Sequence, residues 1–192
     1  MLWRSLLRVL VLWLFAPLLL TSCGYHQGQG GLSDSYRTIS VPYVEEDRDG
    51  QLTAAIAKQI AVSGAFEYLH SGGDLILKVI IIDFSEENIG FRYDRNKEGQ
   101  VSKYRDIIPT ETRLTALAEV SVIDACSGTI VLGPARLSSS VDFDHDYYTS
   151  RDEINVRSLG QLNDIDAALD AVHRPLNEAL AQKIVDYLAD SW

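Results

Sequence analysis

The sequence predicts an α+β domain: a single sheet of mostly antiparallel strands with two helices packed on one face. Three observations carry this. Residues 112–124 and 130–143 alternate apolar and polar side chains with the two-residue period of half-buried strands. The stretches Leu52–Ile60 and Ile165–Leu188 repeat apolar residues at helical spacing instead. The order is strand, helix, several consecutive strands, helix. Consecutive strands close most simply as antiparallel hairpins, and two helices suffice to cover the apolar side of one sheet.

The N-terminus precedes this domain. Arg4 and Arg8 stand before the run Val9–Leu20, which is almost wholly apolar and holds Pro17. This is the layout of an export signal. The uninterrupted run is shorter than the roughly 20 apolar residues a membrane span needs. Leu20-Thr21-Ser22-Cys23 resembles a lipobox, the cleavage signal of bacterial lipoproteins. Leu20 supplies the aliphatic side chain, Thr21 and Ser22 are small enough to admit a peptidase, and the Cys23 thiol can be alkylated by a diacylglyceryl group. The expectation is a signal peptide over residues 1–22 that is removed, lipidation of Cys23, a flexible Gly/Gln/Ser-rich tether over residues 23–35, and one domain over 36–192. An uncleaved span and an ordinary secretory signal cut elsewhere are the alternatives.

Removing residues 1–22 from the 192 leaves 170, enough for one domain with a sizeable core. With Arg4 and Arg8 gone, 15 basic residues face 27 acidic ones, a formal charge of −12. That balance argues against nucleic acid and against broad adhesion to anionic headgroups. With Cys23 carrying lipid, Cys126 has no intrachain partner, so no structural disulfide forms. It reads as a small, half-buried residue beside a turn. No His or Cys pair has metal-ligand spacing, and no cofactor is expected.

The elements follow in order. Arg37–Val44 alternates Ile39, Val41 and Tyr43 with Thr38, Ser40 and Pro42, a strand in which Pro42 marks an edge or an end. Leu52, Ile56 and Ile60 are the buried stripe of the first helix, and Gly64 is its stop. Phe66–Leu69 is a short strand. Leu75–Phe84, dense in Leu, Ile and Val, suits a central strand covered on both faces, with Ile89–Tyr93 extending it. Asp94–Gly99 is a polar hairpin tip. Val101–Ile108 and Thr112–Asp124 return, interrupted near Pro109. In the second of these, Leu114, Ala116, Ala118, Val120 and Val122 line one face; Leu117 and Ile123 are apolar exceptions on the other. Cys126-Ser127-Gly128-Thr129 turns the chain into Ile130–Phe143. Asp144–Asn163 is polar and irregular. Asp164 caps the last helix, whose stripe runs Ile165, Ala168, Leu169, Val172, Leu176, Leu180, Ile184 and Leu188, with a bend at Pro175.

The face of the sheet away from the helices holds mixed residues, and two occupants remain open for it: loops and tether, or a protein partner. Here the chain resembles the LptE family of lipopolysaccharide-assembly lipoproteins. The resemblance begins at Cys23-Gly24-Tyr25-His26 and continues through Thr38-Ile39-Ser40-Val41-Pro42 and the helix after Gly50. It takes in the strand opening Asp74-Leu75-Ile76-Leu77, the long strands at Leu114–Asp124 and Thr129–Leu137, and the C-terminal helix. The Gln/Gly-rich tether, Cys126 and the long polar insert depart from it. The resemblance implies a non-enzymatic protein at the periplasmic face of the outer membrane. Such a protein plugs an LptD-type β-barrel, helps it assemble and contacts lipopolysaccharide. Gly24 is not the aspartate that retains many lipoproteins in the inner membrane. A regulatory or secretion-pore lipoprotein of another envelope machine is the alternative.

Residues 92–105 hold five basic and two acidic residues in an otherwise acidic chain. Arg92, Arg95, Lys97, Lys103 and Arg105 are the candidate ligand-binding residues, suited to the phosphates of lipid A or to acidic barrel residues. A solvated hairpin is the alternative. Asp142-Phe143-Asp144-His145-Asp146 offers oxygens for a divalent cation but lacks the glycine and bidentate glutamate of a calcium loop. A solvent-facing strand end explains it as well, and no metal is assigned. Gly-x-Ser-x-Gly is absent, and His26, His70, His145 and His173 have no recognisable catalytic partners, so no enzyme is expected.

Overall fold

The computed structural model describes residues 31–93, 107–145 and 165–190. It is the α+β fold expected, one five-stranded sheet with two long helices. In chain order the elements are α1 (Leu32–Ser35), β1 (Thr38–Ser40), α2 (Gln51–Ser63), β2 (Glu67–Leu69), β3 (Leu75–Tyr93), β4 (Ile107–Asp124), β5 (Ile130–Asp144) and α3 (Ile165–Ala189). The strand order is β2-β1-β3-β4-β5.

The long pairings β3–β4 and β4–β5 are antiparallel, as expected for consecutive strands. The short pairings β1–β2 and β1–β3 are parallel, because α2 carries the chain back across the sheet between β1 and β2. Pro42 lies just beyond β1, an interior strand; of the two readings for that proline, the strand end is the one observed. Leu32–Ser35, at the end of the expected tether, form one helical turn, and Leu32 packs against the core.

Helix α2 buries Leu52, Ile56 and Ile60, the three residues its periodicity singled out. It stops at Gly64, whose φ of 68° is a left-handed conformation that a Cβ would strain. Helix α3 continues as a single helix through Pro175, which faces solvent. Beyond Pro175 its buried side chains form two adjacent columns, Leu176-Leu180-Ile184-Leu188 and Asn177-Ala181-Val185. The sequence stripe captured only the first.

The core lies between these helices and one face of the sheet. β4 contributes Leu114, Ala116, Ala118, Val120 and Val122, all 2% exposed or less, and β3 contributes Leu75, Leu77, Val79 and Ile81. Between Ile81 and Asp83 the register slips by one residue. The bulge makes Ile82 the extra residue and turns Phe84 towards the helices, where its ring meets His173 of α3 edge-on at 5.9 Å. The expected interruption at Pro109 is instead a register shift inside one continuous strand, with Phe91 opposite Pro109 and Gly90 opposite Glu111. A bulge absorbs the missing N–H without ending the ladder.

The chain enters the domain at the start of β3 and the end of β4. The Asp74 carboxylate accepts from the Thr38 hydroxyl at 2.7 Å and from the Thr38 and Arg37 backbone N–H groups. Gly73 allows this close approach: a Cβ there would sit 2.7 Å from the Ser40 nitrogen. At about 3.3 Å per residue, the 19 residues of β3 extend roughly 60 Å from this point to Tyr93.

Candidate functional site

The sheet face turned away from the helices is built by the other half of each strand. β3 places Ile76, Lys78 and Ile80 there, β4 places Thr115, Leu117, Glu119 and Ile123, and β5 places Ile130, Arg136 and Asp142. Ile76, Ile80, Leu117 and Ile123 are half-buried, and Ile130 is exposed. The apolar exceptions of the sequence pattern therefore share one surface. Three ion pairs interleave them: Lys78 with Glu45 at 3.2 Å, Arg136 with Glu119 at 3.8 Å and Arg113 with Asp142 at 2.7 Å. The last is bidentate, the guanidinium donating to both oxygens of Asp142. The Arg113 hydrogen bond and charge hold the Asp142 carboxyl below its ordinary value and the guanidinium above its own. These pairs neutralise the charges beside Ile76, Ile80 and Ile123, while Asp83, opposite Leu117, and Glu87, opposite Arg113, add acidic groups to the same face.

At the far end of the arm, Phe91, Tyr93 and Ile107 are more than half exposed, with Phe91 opposite Pro109 and Tyr93 opposite Ile107. Arg92 is the last residue but one of β3, opposite Ile108, so this candidate is near the tip of the β3–β4 arm. Arg95, Lys97, Lys103 and Arg105 lie outside the described residues, as does Cys23.

The residues around Asp142–Asp146 diverge. Asp142 points to the open face, where Arg113 holds it. His145, 7% exposed, turns to the opposite side. Its Nε2 meets the Thr112 hydroxyl at 2.8 Å, and that hydroxyl donates to Asn88 Oδ1 at 2.9 Å. Nδ1 has no partner among the described residues. Asp146 lies outside them, and no group of three metal-ligating side chains converges among them. His70 is exposed, His173 packs on Phe84, and His26 lies outside the described residues.

Cys126 is exposed in the turn after β4, where its N–H donates to Asp124 Oδ1 at 2.8 Å. The expected turn is there; the expected half-burial is not, since Cys126 and the turn residues beside it are exposed. That hydrogen bond is the largest cause holding the Asp124 carboxyl below its usual range. No described helix is long and apolar enough to cross a membrane.

One feature escaped the sequence reading: a cleft of about 480 Å³ between the loop before α2, the β3 bulge and α3. Its lining comes from three distant stretches of chain. The signal that could have revealed it is Asn177, a polar residue set among the apolar residues of a helix face.

A family model described as "LptE: Lipopolysaccharide-assembly" matches residues 36–188. Among solved structures, a minor lipoprotein from Acinetobacter baumannii is 13% identical, with 80% of this chain and 91% of that one covered at a TM-score of 0.48. A protein from Caulobacter crescentus CB15 is 18% identical over 84% of this chain and 96% of that one, TM-score 0.48. Rare lipoprotein B from Shewanella oneidensis is 13% identical over 80% and 94%, TM-score 0.47. No curated protein matches the chain.

Proposed function

The chain belongs to the LptE lipopolysaccharide-assembly family, and from that premise we propose that it is an outer-membrane lipoprotein, anchored through Cys23 at the periplasmic face. It plugs an LptD-type β-barrel, assists its assembly and takes part in lipopolysaccharide transport to the cell surface. The observation that carries this reading is the family match over residues 36–188, which spans nearly the whole described domain. The role is docking, not turnover. The open sheet face suits a barrel wall: half-buried Ile76, Ile80, Leu117 and Ile123 offer apolar contact, and Lys78, Arg113 and Arg136 among them are already paired with carboxylates. The anchor follows the same logic, since each buried methylene contributes about 0.8 kcal/mol and more than one acyl chain makes attachment stable.

The test is recovery of a partner. Tagged full-length chain, purified from detergent-solubilised outer membranes, brings down a large β-barrel. Recovery of a cell-wall synthase or a homo-oligomer instead would establish the regulatory or secretion-pore reading. Radiolabelled palmitate enters the wild type and not Cys23→Ser; equal labelling of both would remove the anchor. For the arm tip, Ser at Arg92, Arg95, Lys97, Lys103 and Arg105 together lowers lipopolysaccharide affinity, and unchanged affinity eliminates that site.

A further inference from the structure

The cleft beside α2 has a chemistry of its own. Its upper wall is the loop joining β1 to α2, which carries Glu46 and Asp49. This loop is fixed in shape: Asp47 ties it to the start of α2, and Glu46 is held at φ 69°. Its floor is the β3 bulge, with Ile82 44% and Phe84 40% exposed and Asp83 between them. Its inner wall is α3, where Asn177 lines the cleft while only 7% exposed. The Oδ1 of Asn177 has no hydrogen-bond partner among the described residues. A buried amide oxygen left unpaired is costly, so a donor is wanted there.

Three independent features therefore ask for the same ligand. The amide oxygen needs an N–H donor. Glu46, Asp49 and Asp83 need a positive charge, against which the lining sets only Arg48 among the described residues. Ile82 and Phe84 need an aliphatic stem, and an aromatic face favours a planar cation. We propose that this cleft receives an arginine side chain presented by a protein partner. A guanidinium meets all three demands at once, because its planar fork can donate to the amide and to carboxylates together while its methylenes cover Ile82. The backbone next to the cleft explains why the arginine is protein-borne. β1 pairs with β3 only at Leu75 and Ile76, and Glu45 bridges it at Ile80. From Asp83 onward β3 is paired only on its β4 side among the described residues, leaving an open edge against which an extended segment can lie. Free arginine lacks that segment and brings a carboxylate into an acidic rim. The inference stands apart from the lipopolysaccharide reading and survives its failure.

The experiment is an NMR titration of the full-length, isotope-labelled chain in non-ionic detergent. The probes are arginine blocked at both ends (N-acetyl, C-methylamide), its neutral citrulline counterpart and free arginine. The expected result is saturable shifts at Asn177 and Phe84 with blocked arginine, and binding of the other two at least about tenfold weaker. Asp49→Asn with Asp83→Asn, both exposed positions, weakens blocked arginine by about tenfold, and added salt weakens it further. No saturable shift overturns the proposal, as does equal binding of citrulline or unchanged affinity in the double variant. Equal binding of free arginine overturns the protein-borne source.

Discussion

The loop before α2 should depend on one buried carboxylate. Asp47 is 5% exposed, and its oxygens accept from Thr53 N–H at 2.8 Å, the Thr53 hydroxyl at 2.7 Å and, more distantly, Leu52 N–H at 3.4 Å. Gly50 is the residue at the N-cap position and has no side chain to offer, so Asp47 does that work from three residues upstream. Asp47→Ala removes two good charge-assisted bonds. The Thr53 hydroxyl can turn elsewhere, and it already accepts from Val44 N–H at 3.1 Å. The Thr53 N–H has no such freedom. Counting one full bond to a charged group plus the desolvation of one orphaned donor gives a loss of about 2.5–6 kcal/mol. That corresponds to about 5–24 °C in Tm for a domain of this size. Asp47→Asn keeps one acceptor oxygen and should lose about half as much. Chemical denaturation of the full-length chain, followed by circular dichroism, measures both. A loss below about 0.5 kcal/mol for Asp47→Ala would refute the reasoning, since ordinary surface substitutions fall in that range. So would an identical loss in a Thr53→Val background, because two bonded residues must couple.

Other outcomes follow from the same contacts. Leu180→Ala, at a fully buried position on α3, should cost about 3 kcal/mol by the same denaturation. Asp74, Asp124 and Asp142 have carboxyl groups held below the ordinary value, chiefly by the Thr38 hydroxyl, the Cys126 N–H and Arg113 respectively. Their folded values lie below the unfolded ones, so their contribution is complete above about pH 4 and is lost as pH falls through the folded values. A stability–pH profile should be flat in this component near neutrality and fall in the acid limb, and Asp74→Asn should make that fall shallower. Cys126 is exposed and unpaired, so a thiol reagent should label the native lipidated chain once, and no second thiol should appear on denaturation; a second thiol would mean that Cys23 is unmodified.

The parts of the fold that were legible are those where one side chain per period decides. In β4 the alternation from Leu114 to Val122 grouped on one face the five residues that meet the helices, because a strand against a core has only two faces; which of the two is covered came from the structure. The same logic gave Leu52, Ile56 and Ile60 in α2. What the sequence withheld depends on long-range pairing. β1 and β2 are three residues each, too short for a period, so their parallel pairing could not be seen. The bulge at Ile82 looks like an ordinary member of an apolar run, yet it reverses which side chains face the helices beyond it. Pro109 read as a break because a central strand lacks room for proline, and the register shift beside it supplies that room. The cleft was illegible for a related reason: Glu46, Asp83 and Asn177 become neighbours only through packing.

The proposed docking face makes a prediction that separates recognition from folding. Leu117 sits in the middle of β4, opposite Asp83 on one side and Ser138 on the other, with its side chain on the open face. It touches none of the core that α2 and α3 cover. Leu117→Glu gives up a half-buried side chain and sets a carboxylate opposite Asp83, so it should cost about 1–2 kcal/mol while leaving the domain folded. In a docked complex the same carboxylate would be pressed between neutralised ion pairs with no cation left to meet it, because Arg113 and Arg136 are already engaged. Burying an unpaired charge at an interface costs several kcal/mol, enough to abolish co-purification of the barrel. Ala116 is the control one residue away. It is fully buried on the helix side, so Ala116→Glu should unfold the domain and lose the barrel for that reason alone. A folded Leu117→Glu chain that still recovers the barrel at wild-type yield would show that the open face is not the docking surface, leaving the family assignment untouched.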